Sequence, residues 1–432
     1  MHKRIAAGLA AAALVACGFA APTAHAEDDT LKIATFNASL NRGEDGQLLS
    51  DLATGSNEQA QNAAETIQLA DADIILVNEF DYDADGKAVD LFRKNYLEVS
   101  QNGADPVEYP YAWSGPVNTG VPSGHALNND GKVGGPDDAY GFGFFPGQYG
   151  MVVYSKHPIE QDDVRTFQNF LWKDMPNNVI PADWYSNEEL ADFRLSSKTH
   201  ADVPVNVDGE IIHVLAAHPT PPSFDGPEQR NKRRNNDEIR LWADYISGSD
   251  YLYDDNGKAG GLAKGENFAI LGDYNSDPND GDSMPGSIQQ LLDHKLVLDP
   301  KPSSEGAVEA FKQQGKANTE HLSDPKFDSA DFNDDPRPGN IRVDYTLLSA
   351  NSMSVVDAGV FWPIANDPLF RLTGNYPFPT SDHRLVWVET KLKGDDAKPE
   401  PSKPADEPTK PSEEPAKPEP KPSKPGLPKT GR

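Results

Sequence analysis

Six polar side chains follow or interrupt apolar segments at widely separated points of the chain, and all are residue types used in metal binding or acid–base chemistry. Each apolar segment has the length and β-branched content of a buried strand. A rigid sheet presents chemistry where its strands end in loops. We therefore expect one shared site built from distant parts of the chain: Asn37, Glu79, His218, Asp273, Asp344 and His383.

Glu79 is the first carboxylate of this set and follows the apolar run Ile74–Val77 and Asn78. A carboxylate at the mouth of a buried strand is costly unless it is paired or binds a metal. Mg²⁺ prefers one or two carboxylates together with water and phosphate oxygens. Asn37 ends another such run and offers a neutral oxygen, or a group that positions a ligand water. An ordinary exposed strand end is the alternative for Glu79 taken alone.

The sequence Gly-Asp-Tyr-Asn follows the apolar run Phe268–Leu271. Gly272 permits a sharp turn, after which Asp273 and Asn275 project on the same side of the chain. A carboxylate beside an amide can align a water molecule and hold a phosphoryl oxygen. The alternative is an ordinary turn in which the Asp side chain bonds to nearby backbone.

Two histidines complete the set, His218 after Val214–Ala217 and His383 within Ser381-Asp382-His383. Histidine has a reference pKa of about 6.5 and is the most frequent general acid or base near neutral pH. Asp344, within a strand-like segment, could orient His383 as in a carboxylate–histidine pair. A single histidine at a strand end is more often structural, so only the set as a whole indicates a catalytic site.

In their order along the chain, these segments resemble the motifs of the endonuclease/exonuclease/phosphatase (deoxyribonuclease-I-like) superfamily. The family pattern is Thr-Phe-Asn, a strand ending in Glu, a strand ending in His, Gly-Asp-x-Asn, a strand containing Asp, and Ser-Asp-His. The resemblance covers residues 31–389 and includes Tyr149–Ile159, where Lys156 replaces the commoner Arg. It implies an α/β fold, a four-layered α/β/β/α sandwich with two packed mixed β-sheets.

The resemblance also implies hydrolysis of phosphate esters with Mg²⁺ or Mn²⁺ as the cofactor. By motif, Glu79 and Asn37 bind the metal, and Asp382 assists on the metal side. A cationic contact to the phosphate is implied before the His218 strand, where Lys198 and Arg194 are the candidates.

The catalytic roles carried over by motif involve five residues. Asp273 positions or activates the attacking water, and Asn275 holds the phosphate. His383, oriented by Asp344, stabilises or protonates the group at phosphorus. His218 contacts the phosphoryl group from the opposite side.

The net charge of the chain limits the classes of molecule that it is expected to bind. The 432 residues carry a formal net charge of −29 at pH 7. Proteins that bind duplexes by neutralising phosphates are usually basic, so this acid excess argues against tight non-specific binding of nucleic acid. Catalysis on a phosphate remains compatible with it, because a divalent metal supplies positive charge locally. We expect a monomer acting on a small or lipid-like phosphate.

The N-terminus has the pattern of an export signal over residues 1–26, with Ala24-His25-Ala26 before the cleavage point. Its apolar stretch is shorter than the roughly 20 residues of a membrane span. Cys17, the only cysteine of the chain, ends a segment that resembles a lipoprotein box, so lipid anchoring is the alternative. We expect a folded domain over residues 30–392.

The C-terminal tail, residues 393–432, is rich in Pro, Lys and Glu and is predicted to be disordered. Leu427–Gly431 reads Leu-Pro-Lys-Thr-Gly and resembles the sortase recognition motif, although no hydrophobic segment and basic tail follow it. We therefore expect an extracellular protein that is either free or attached by a sortase to a Gram-positive cell wall.

Several weaker features allow two interpretations each. The acidic turns 81–86 and 128–131 each match part of a calcium loop, so a structural Ca²⁺ is an alternative to plain turns. Lys232-Arg233-Arg234 indicates either a polyanion-binding patch or a solvated helix face. The loop-rich stretches 100–150 and 247–266 are predicted to be surface insertions near the active face.

These observations favour a secreted hydrolase, a divalent-metal-dependent phosphoesterase that cleaves phosphate mono- or diesters by in-line attack of an activated water. An extracellular nuclease acting on DNA or RNA is an alternative, because one fold and site serve several such activities. A catalytically silent, surface-displayed binding protein is an alternative of another class. The complete set of polar residues speaks against it.

Overall fold

The computed structural model describes residues 30–393. The predicted export signal, Cys17 and the Leu427–Gly431 motif lie outside the described residues. Within residues 30–393, no helix combines the length and the apolar character that crossing a bilayer requires.

Two six-stranded sheets form the centre of the fold, and each contains one parallel pair. The first has the spatial order β13 (Met353–Val360), β14 (Val386–Leu392), β1 (Leu31–Asn37), β2 (Ile74–Asn78), β4 (Met151–Ser155) and β3 (Tyr111–Ser114). The second has the order β5 (Arg165–Thr166), β6 (Ala201–Val207), β7 (Glu210–Ala217), β8 (Asn267–Asp273), β12 (Asp344–Ser349) and β9 (Val297–Leu298). The parallel pairs are β1 with β2 and β7 with β8. A short antiparallel pair, β10 (Ala330–Asp331) and β11 (Asn340–Ile341), lies apart from both sheets.

The two sheets pack face to face through alternate residues of their strands. Ile33 and Leu76 of the first sheet share one buried cluster with Val203 and Val214 of the second. The intervening residues of the first sheet, such as Phe36, face helices instead. Successive side chains of a strand point to opposite faces of its sheet, so neighbouring residues pack against different layers. Fully burying one large apolar side chain stabilises the fold by about 1.5–3 kcal/mol.

Helices cover both outer faces of the paired sheets. They are α1 (Gln47–Ala53), α2 (Glu58–Ala70), α3 (Lys87–Phe92), α4 (Asn187–Asp192), α5 (Arg230–Ile246), α6 (Gln289–Leu292), α7 (Glu305–Gln314) and α8 (Phe370–Thr373). Helices α1 to α3 pack on the first sheet, and α5 packs on the second through Ile239 and Trp242. The layers are therefore α/β/β/α, which confirms the predicted four-layered sandwich.

Local sequence explains where two of these helices begin. Asn57 precedes α2, and its side-chain oxygen accepts a hydrogen bond from the Ala60 amide at 3.0 Å. Ser186 and Glu189 form a capping box at the start of α4. This helix ends at Asp192, because Phe193 leaves it in extended conformation and packs edge-on against Trp172.

Candidate active site

The predicted site residues meet at one edge of the sandwich, where the parallel pairs of both sheets end. Asn37 at the end of β1 donates a hydrogen bond to Asp273 Oδ2 at the end of β8, at 3.1 Å. The side chain of Asn78 accepts from the Asp273 amide at 3.3 Å and donates to the Ala217 carbonyl at 3.4 Å. These contacts join the first sheet to the second at the site itself.

Gly272 is required where β7 and β8 approach this edge. Its φ is +147°, and a Cβ built there would lie 2.0 Å from the Ala217 carbonyl oxygen. No larger residue fits without moving the backbone. The glycine of the Gly-Asp-Tyr-Asn motif therefore sets the position of the following Asp273 against the end of β7.

Asp273 is the centre of the constellation and is 1% exposed. Its Oδ2 lies 3.3 Å from His218 Nε2 and 3.5 Å from His383 Nε2. Its Oδ1 accepts from the Asn275 amide at 2.9 Å. Burial alone would raise the pKa of Asp273, but the two imidazoles and the Asn275 amide outweigh it and hold that pKa well below the ordinary value. Asp273 is therefore an ionised acceptor at neutral pH.

His383 lies between two carboxylates. Its Nδ1 is 2.9 Å from Asp344 Oδ2, and the same oxygen accepts from Ser329 Oγ at 2.8 Å. Burial disfavours the imidazolium, yet Asp344 and Asp273 outweigh it and raise the pKa of His383 well above its ordinary value. Within residues 30–393, only Asp273, Asp344 and His383 bring three candidate ligand atoms within 4.8 Å of one another. The imidazole therefore lies between two carboxylates that both favour its protonated form.

His218 has a different environment on the other side of Asp273. In the described part of the chain, its Nδ1 has no hydrogen-bond partner. Burial and the nearby Lys198 ammonium lower the pKa of His218, against the opposing effect of Asp273. The environments of His218 and His383 therefore shift the pKa values of the two rings in opposite directions.

Glu79 faces the same centre from the end of β2. Its backbone is left-handed, with φ at +57°, which turns the chain sharply after the strand. Asn37 and Asn41 donate to its two oxygens at 3.2 and 2.6 Å. Among residues 30–393, no Lys, Arg or His forms an ion pair with it.

The donor set around Glu79 fits a hard divalent cation. A half-buried carboxylate with neutral amide partners and no counter-cation is costly, and a bound metal would remove that cost. Asp382, also half-buried, lines the same cavity as Glu79 and Asp273. Asn37 donates from Nδ2 to the carboxylates of Glu79 and Asp273, while its Oδ1 accepts from the Ser39 amide at 3.2 Å.

Two cavities open from this centre and share five lining residues, namely Glu79, Tyr149, His218, Pro221 and Phe224. The larger, of about 810 Å³, is called the acid cavity and contains Asp273, Asn275, Asp277, Asp280, Asp282, Asp331, Asp382 and His383. The smaller, of about 560 Å³, is called the lysine cavity and contains Lys198, Phe142, Ala139, Arg230 and Arg234.

The structure separates the two candidates for a cationic phosphate contact. Arg194 donates to Asn118 Oδ1 at 2.7 Å, stacks 4.1 Å from the Tyr140 ring and lines neither cavity. Lys198 is 6% exposed and lines the lysine cavity. No described residue accepts a hydrogen bond from its ammonium group. Burial lowers the pKa of Lys198, although Glu238, Glu79 and Asp273 oppose that effect. Of the two candidates, Lys198 is therefore the one that lines the cavity.

The weaker sequence features have structural roles. Arg234 is buried and donates to the Leu195 and Arg194 carbonyls at 2.7 and 3.0 Å, so the solvated-face interpretation of 232–234 is wrong for Arg234. In the turn 81–86, Asp83 accepts from the Lys87 amide at 2.5 Å, and Asp85 pairs with the Lys87 side chain. A structural Ca²⁺ at either acidic turn stays a prediction.

The two loop-rich stretches differ in their relation to the site. Thr119, Phe142 and Tyr149 from residues 100–150 line the lysine cavity, which confirms that part of the prediction. Residues 247–266 pack at the β5 edge, where Asp254 pairs with Arg165 at 2.8 Å. None of the described residues 247–266 lines either cavity, so the prediction that this stretch lies near the active face was wrong.

Three residues of the site were not predicted from the sequence. Asn78 lies inside the recognised Glu79 segment, so its position next to a strand end was a usable signal. Asn41 follows Asn37 by one short loop. Ser329 precedes Asp344 by 15 residues, and no sequence pattern marks it.

Comparison with known proteins places this constellation in a family. The model of the endonuclease/exonuclease/phosphatase family matches residues 34–383. No curated protein matches the chain by sequence. Among solved structures, an endonuclease/exonuclease/phosphatase from Beutenbergia cavernae is 16% identical, with 84% of this chain and 72% of that chain covered and a TM-score of 0.47.

Two further solved structures are similar over comparable lengths. A family protein from Leptotrichia buccalis is 14% identical, with 84% of this chain and 99% of that chain covered and a TM-score of 0.43. Sphingomyelinase C from Streptomyces griseocarneus is 14% identical, with 83% and 99% covered and a TM-score of 0.40. Because the family model spans residues 34–383, most of the chain, this protein belongs to the endonuclease/exonuclease/phosphatase family.

Proposed function

We propose that this protein is a secreted, divalent-metal-dependent phosphoesterase that hydrolyses phosphate esters by in-line attack of water. The observation that carries the proposal is the buried Asp273 carboxylate between two imidazoles, with His218 Nε2 at 3.3 Å and His383 Nε2 at 3.5 Å from Oδ2. The two rings have different environments, because Asp344 bonds to His383 and the Lys198 ammonium lies near His218. Titratable groups with environments that separate their pKa values are the usual basis for dividing acid and base roles. The export pattern of residues 1–26 supports secretion.

In this proposal, Asp273 orients the attacking water. It is ionised and lines the acid cavity, so its carboxylate can accept a hydrogen bond from that water. Asn275 lines the same cavity two residues later and donates to a phosphoryl oxygen. His383, oriented by Asp344, holds a proton at Nε2 for the phosphoryl group or the departing oxygen.

Glu79, Asn37 and Asp382 would hold Mg²⁺ or Mn²⁺ beside the phosphate. When bound, such a cation neutralises the negative charge that develops on the phosphoryl oxygens during displacement. Lys198 supplies a second positive charge from the lysine cavity. His218, kept neutral by burial and Lys198, contacts the phosphoryl group without adding a competing charge.

The lining of the acid cavity favours a small or lipid-like phosphate over nucleic acid. Asp277, Asp280, Asp282 and Asp331 all lie on this cavity beside the catalytic centre, and Arg337 is its only Lys or Arg among the described residues. A long polyanion would bring further phosphates against these carboxylates and would be repelled. The overall charge of −29 acts in the same direction.

The proposal is tested with the purified full chain, stripped of metal and then supplied with Mg²⁺, Mn²⁺ or Ca²⁺. Plasmid DNA, RNA, a phosphodiester, a phosphomonoester, inositol phosphates and sphingomyelin are offered as substrates. We expect metal-dependent hydrolysis of at least one non-nucleic-acid ester. Turnover confined to DNA or RNA would establish the nuclease alternative, and no turnover on any substrate would support the silent binding protein.

A further inference from the structure

The hydrogen-bond ladder of the second sheet ends before two of the site residues are reached. At this edge, its last backbone pairs join Ala201 to Ala216 and Ala217 to Gly272. Lys198 precedes β6 and His218 follows β7, so the ladder holds neither of them. Contacts outside the ladder must therefore fix the distance between these two side chains.

Helix α5 packs on this sheet and buries polar side chains at the same edge. Asn235 and Glu238 are three residues apart, so they lie on one face of the helix, and both are 0% exposed. A buried carboxylate or amide is costly unless hydrogen bonds satisfy it. The partners of these two side chains therefore define their roles in the fold.

Glu238 joins the segments that carry Lys198 and His218. Its Oε1 accepts a hydrogen bond from the Ser197 amide at 2.6 Å, and its Oε2 accepts one from the Thr220 amide at 2.6 Å. These four partner and neighbour residues all line the lysine cavity. Hydrogen bonds to an ionised group are stronger than neutral ones, so this carboxylate holds the two segments firmly at one separation.

Asn235 makes a second connection, from the Thr220 segment to the Gly-Asp-Tyr-Asn turn. Its Nδ2 donates to the Thr220 carbonyl and to the Tyr274 carbonyl, both at 2.9 Å. Tyr274 lies between Asp273 and Asn275, which both line the acid cavity. Both hydrogen bonds of this buried amide therefore go to backbone beside residues of the site.

We propose that Asn235 and Glu238 are positioning residues, through which helix α5 holds Lys198, His218 and Asp273 at the separations that phosphate binding and hydrolysis require. Neither side chain lines the lysine cavity or the acid cavity, so each acts through the backbone that it bonds. This inference rests on the proposed phosphoesterase function. Misplacing a reacting group by about 1 Å can cost about 10²-fold in rate, so such contacts affect catalysis without touching substrate.

Asp237 of the same helix provides a matched control. It is also 0% exposed, and its Oδ2 accepts from Trp172 Nε1 at 2.6 Å and from the Val179 amide at 2.8 Å. Neither partner lines the lysine cavity or the acid cavity. Asp237→Asn should therefore lower the melting temperature, while kcat/KM of the folded protein changes less than about twofold.

Steady-state kinetics of the full chain with Mg²⁺ test the proposal, on the ester that the wild type hydrolyses fastest. Glu238→Gln keeps the shape but turns an amino group towards one of the two amides, so KM should rise about fivefold. Asn235→Ala should lower kcat about tenfold, because it releases the turn that holds Asp273. Losses no larger than that of Asp237→Asn, at equal folded fraction, would overturn the proposal.

A double-mutant cycle shows whether Glu238 acts through Lys198. In the Lys198→Met background, Glu238→Gln should raise KM less than about twofold, because the contact that it disturbs is already lost. A rise as large as in the wild-type background would overturn this coupling. If Glu238→Gln does not fold, Glu238→Asp keeps the charge on a shorter side chain and should raise KM about threefold. An unchanged KM in that variant would overturn the proposal.

Binding of inorganic phosphate, measured by calorimetry with Mg²⁺, needs no turnover. Glu238→Gln should weaken this binding about threefold, whereas Asp237→Asn should leave it unchanged. This pattern in a protein that hydrolyses none of the esters would overturn the phosphoesterase function and support the positioning role. Equal phosphate affinity of the wild type and Glu238→Gln would overturn the positioning role of Glu238, as would the absence of phosphate binding by the wild type.

Discussion

His383 and His218 face the same oxygen of Asp273 from two sides, at 3.5 and 3.3 Å, but the regions behind them differ. Behind His383 lie Asp344 and Ser329, an acid and a hydroxyl that stabilise the imidazolium. Behind His218 lies the Lys198 ammonium, which disfavours a second cation. One carboxylate thus contacts two imidazoles whose pKa values shift in opposite directions. Burial and the Lys198 ammonium lower the pKa of His218, whereas Asp344 and Asp273 outweigh burial and raise the pKa of His383.

The largest effects on activity are expected from Asp273, which both histidines contact, and from His383. Asp273→Asn keeps the size of the side chain but loses the negative charge, and His383→Ala removes one of the two rings. We expect each to reduce kcat/KM by about 10²-fold or more, as for other acid–base groups. The measurement is steady-state hydrolysis with saturating metal, with far-ultraviolet circular dichroism to establish folding. His157→Ala, a half-buried histidine away from both cavities, is the control. Near-wild-type activity in either variant would rule out the assigned centre.

A smaller effect is expected from the cation behind His218. Lys198→Met should raise KM by about tenfold through the lost phosphate contact, with less change in kcat. Burial and the Lys198 ammonium both lower the pKa of His218, so loss of that positive charge should move the pKa upward in an NMR titration of the metal-free protein. Lys232→Met, on helix α5, is the matched control. An unchanged His218 pKa would mean that burial alone produces the difference between the two rings.

The outer hydroxyl behind His383 should matter less. Ser329→Ala removes one hydrogen bond to Asp344 at 2.8 Å, a contribution of about 1 kcal/mol, so we expect about a fivefold loss of kcat/KM. The Ser329 hydroxyl oxygen also accepts hydrogen bonds from the Val343 and Asp344 amides at 3.0 and 2.9 Å. Ser329→Thr would preserve these contacts. Rescue of activity by threonine would assign the effect to the hydroxyl. A loss as large as that of His383→Ala would contradict a merely supporting role.

The smallest effect on activity is expected at Asp328, next to Ser329 in the chain. Its Oδ2 has no partner among the described residues, and burial with Asp277 and Asp280 nearby raises the pKa of Asp328 to about 9. The unfolded chain releases this proton near pH 4, so folding loses stability as the pH rises from about 4 towards 9. Asp328→Asn should therefore stabilise the protein increasingly over that window, by about 1–3 kcal/mol at neutral pH.

Thermal unfolding of both proteins at pH 4, 6 and 8 is the measurement for this prediction, with kcat/KM changing less than about twofold. Asp367→Asn, on an exposed turn, is the control. A variant that is less stable than the wild type at pH 8 would show that the Asp328 carboxylate is ionised and favourably bound in the folded protein.

The fold could be predicted from the sequence because the order of the motifs resembles a known family. The ionisable centre could be predicted because the polar residue after each apolar run marks a strand end, and these ends meet at the shared edge. Ser329 and Phe224 were not predictable. They lie in loops or short segments whose course is set by tertiary packing, and no local period marks which side chain will face the site.

The choice between Lys198 and Arg194, which are four residues apart, also could not be made from the sequence. Both are cationic and both precede the His218 strand, so residue type alone left the choice open. The hydrogen bond of Arg194 to Asn118 and its stacking on Tyr140 are long-range contacts that only the folded chain reveals.

The hydrogen bond between Asn37 and Asp273 joins residues 236 positions apart and crosses from one sheet to the other. Contacts of such high sequence separation form late in folding, because loop-closure entropy must be overcome before they stabilise anything. No stretch shorter than this span can assemble the centre, so neither half of the chain would hydrolyse an ester by itself. Recovery of activity during refolding would consequently report the docking of the two sheets.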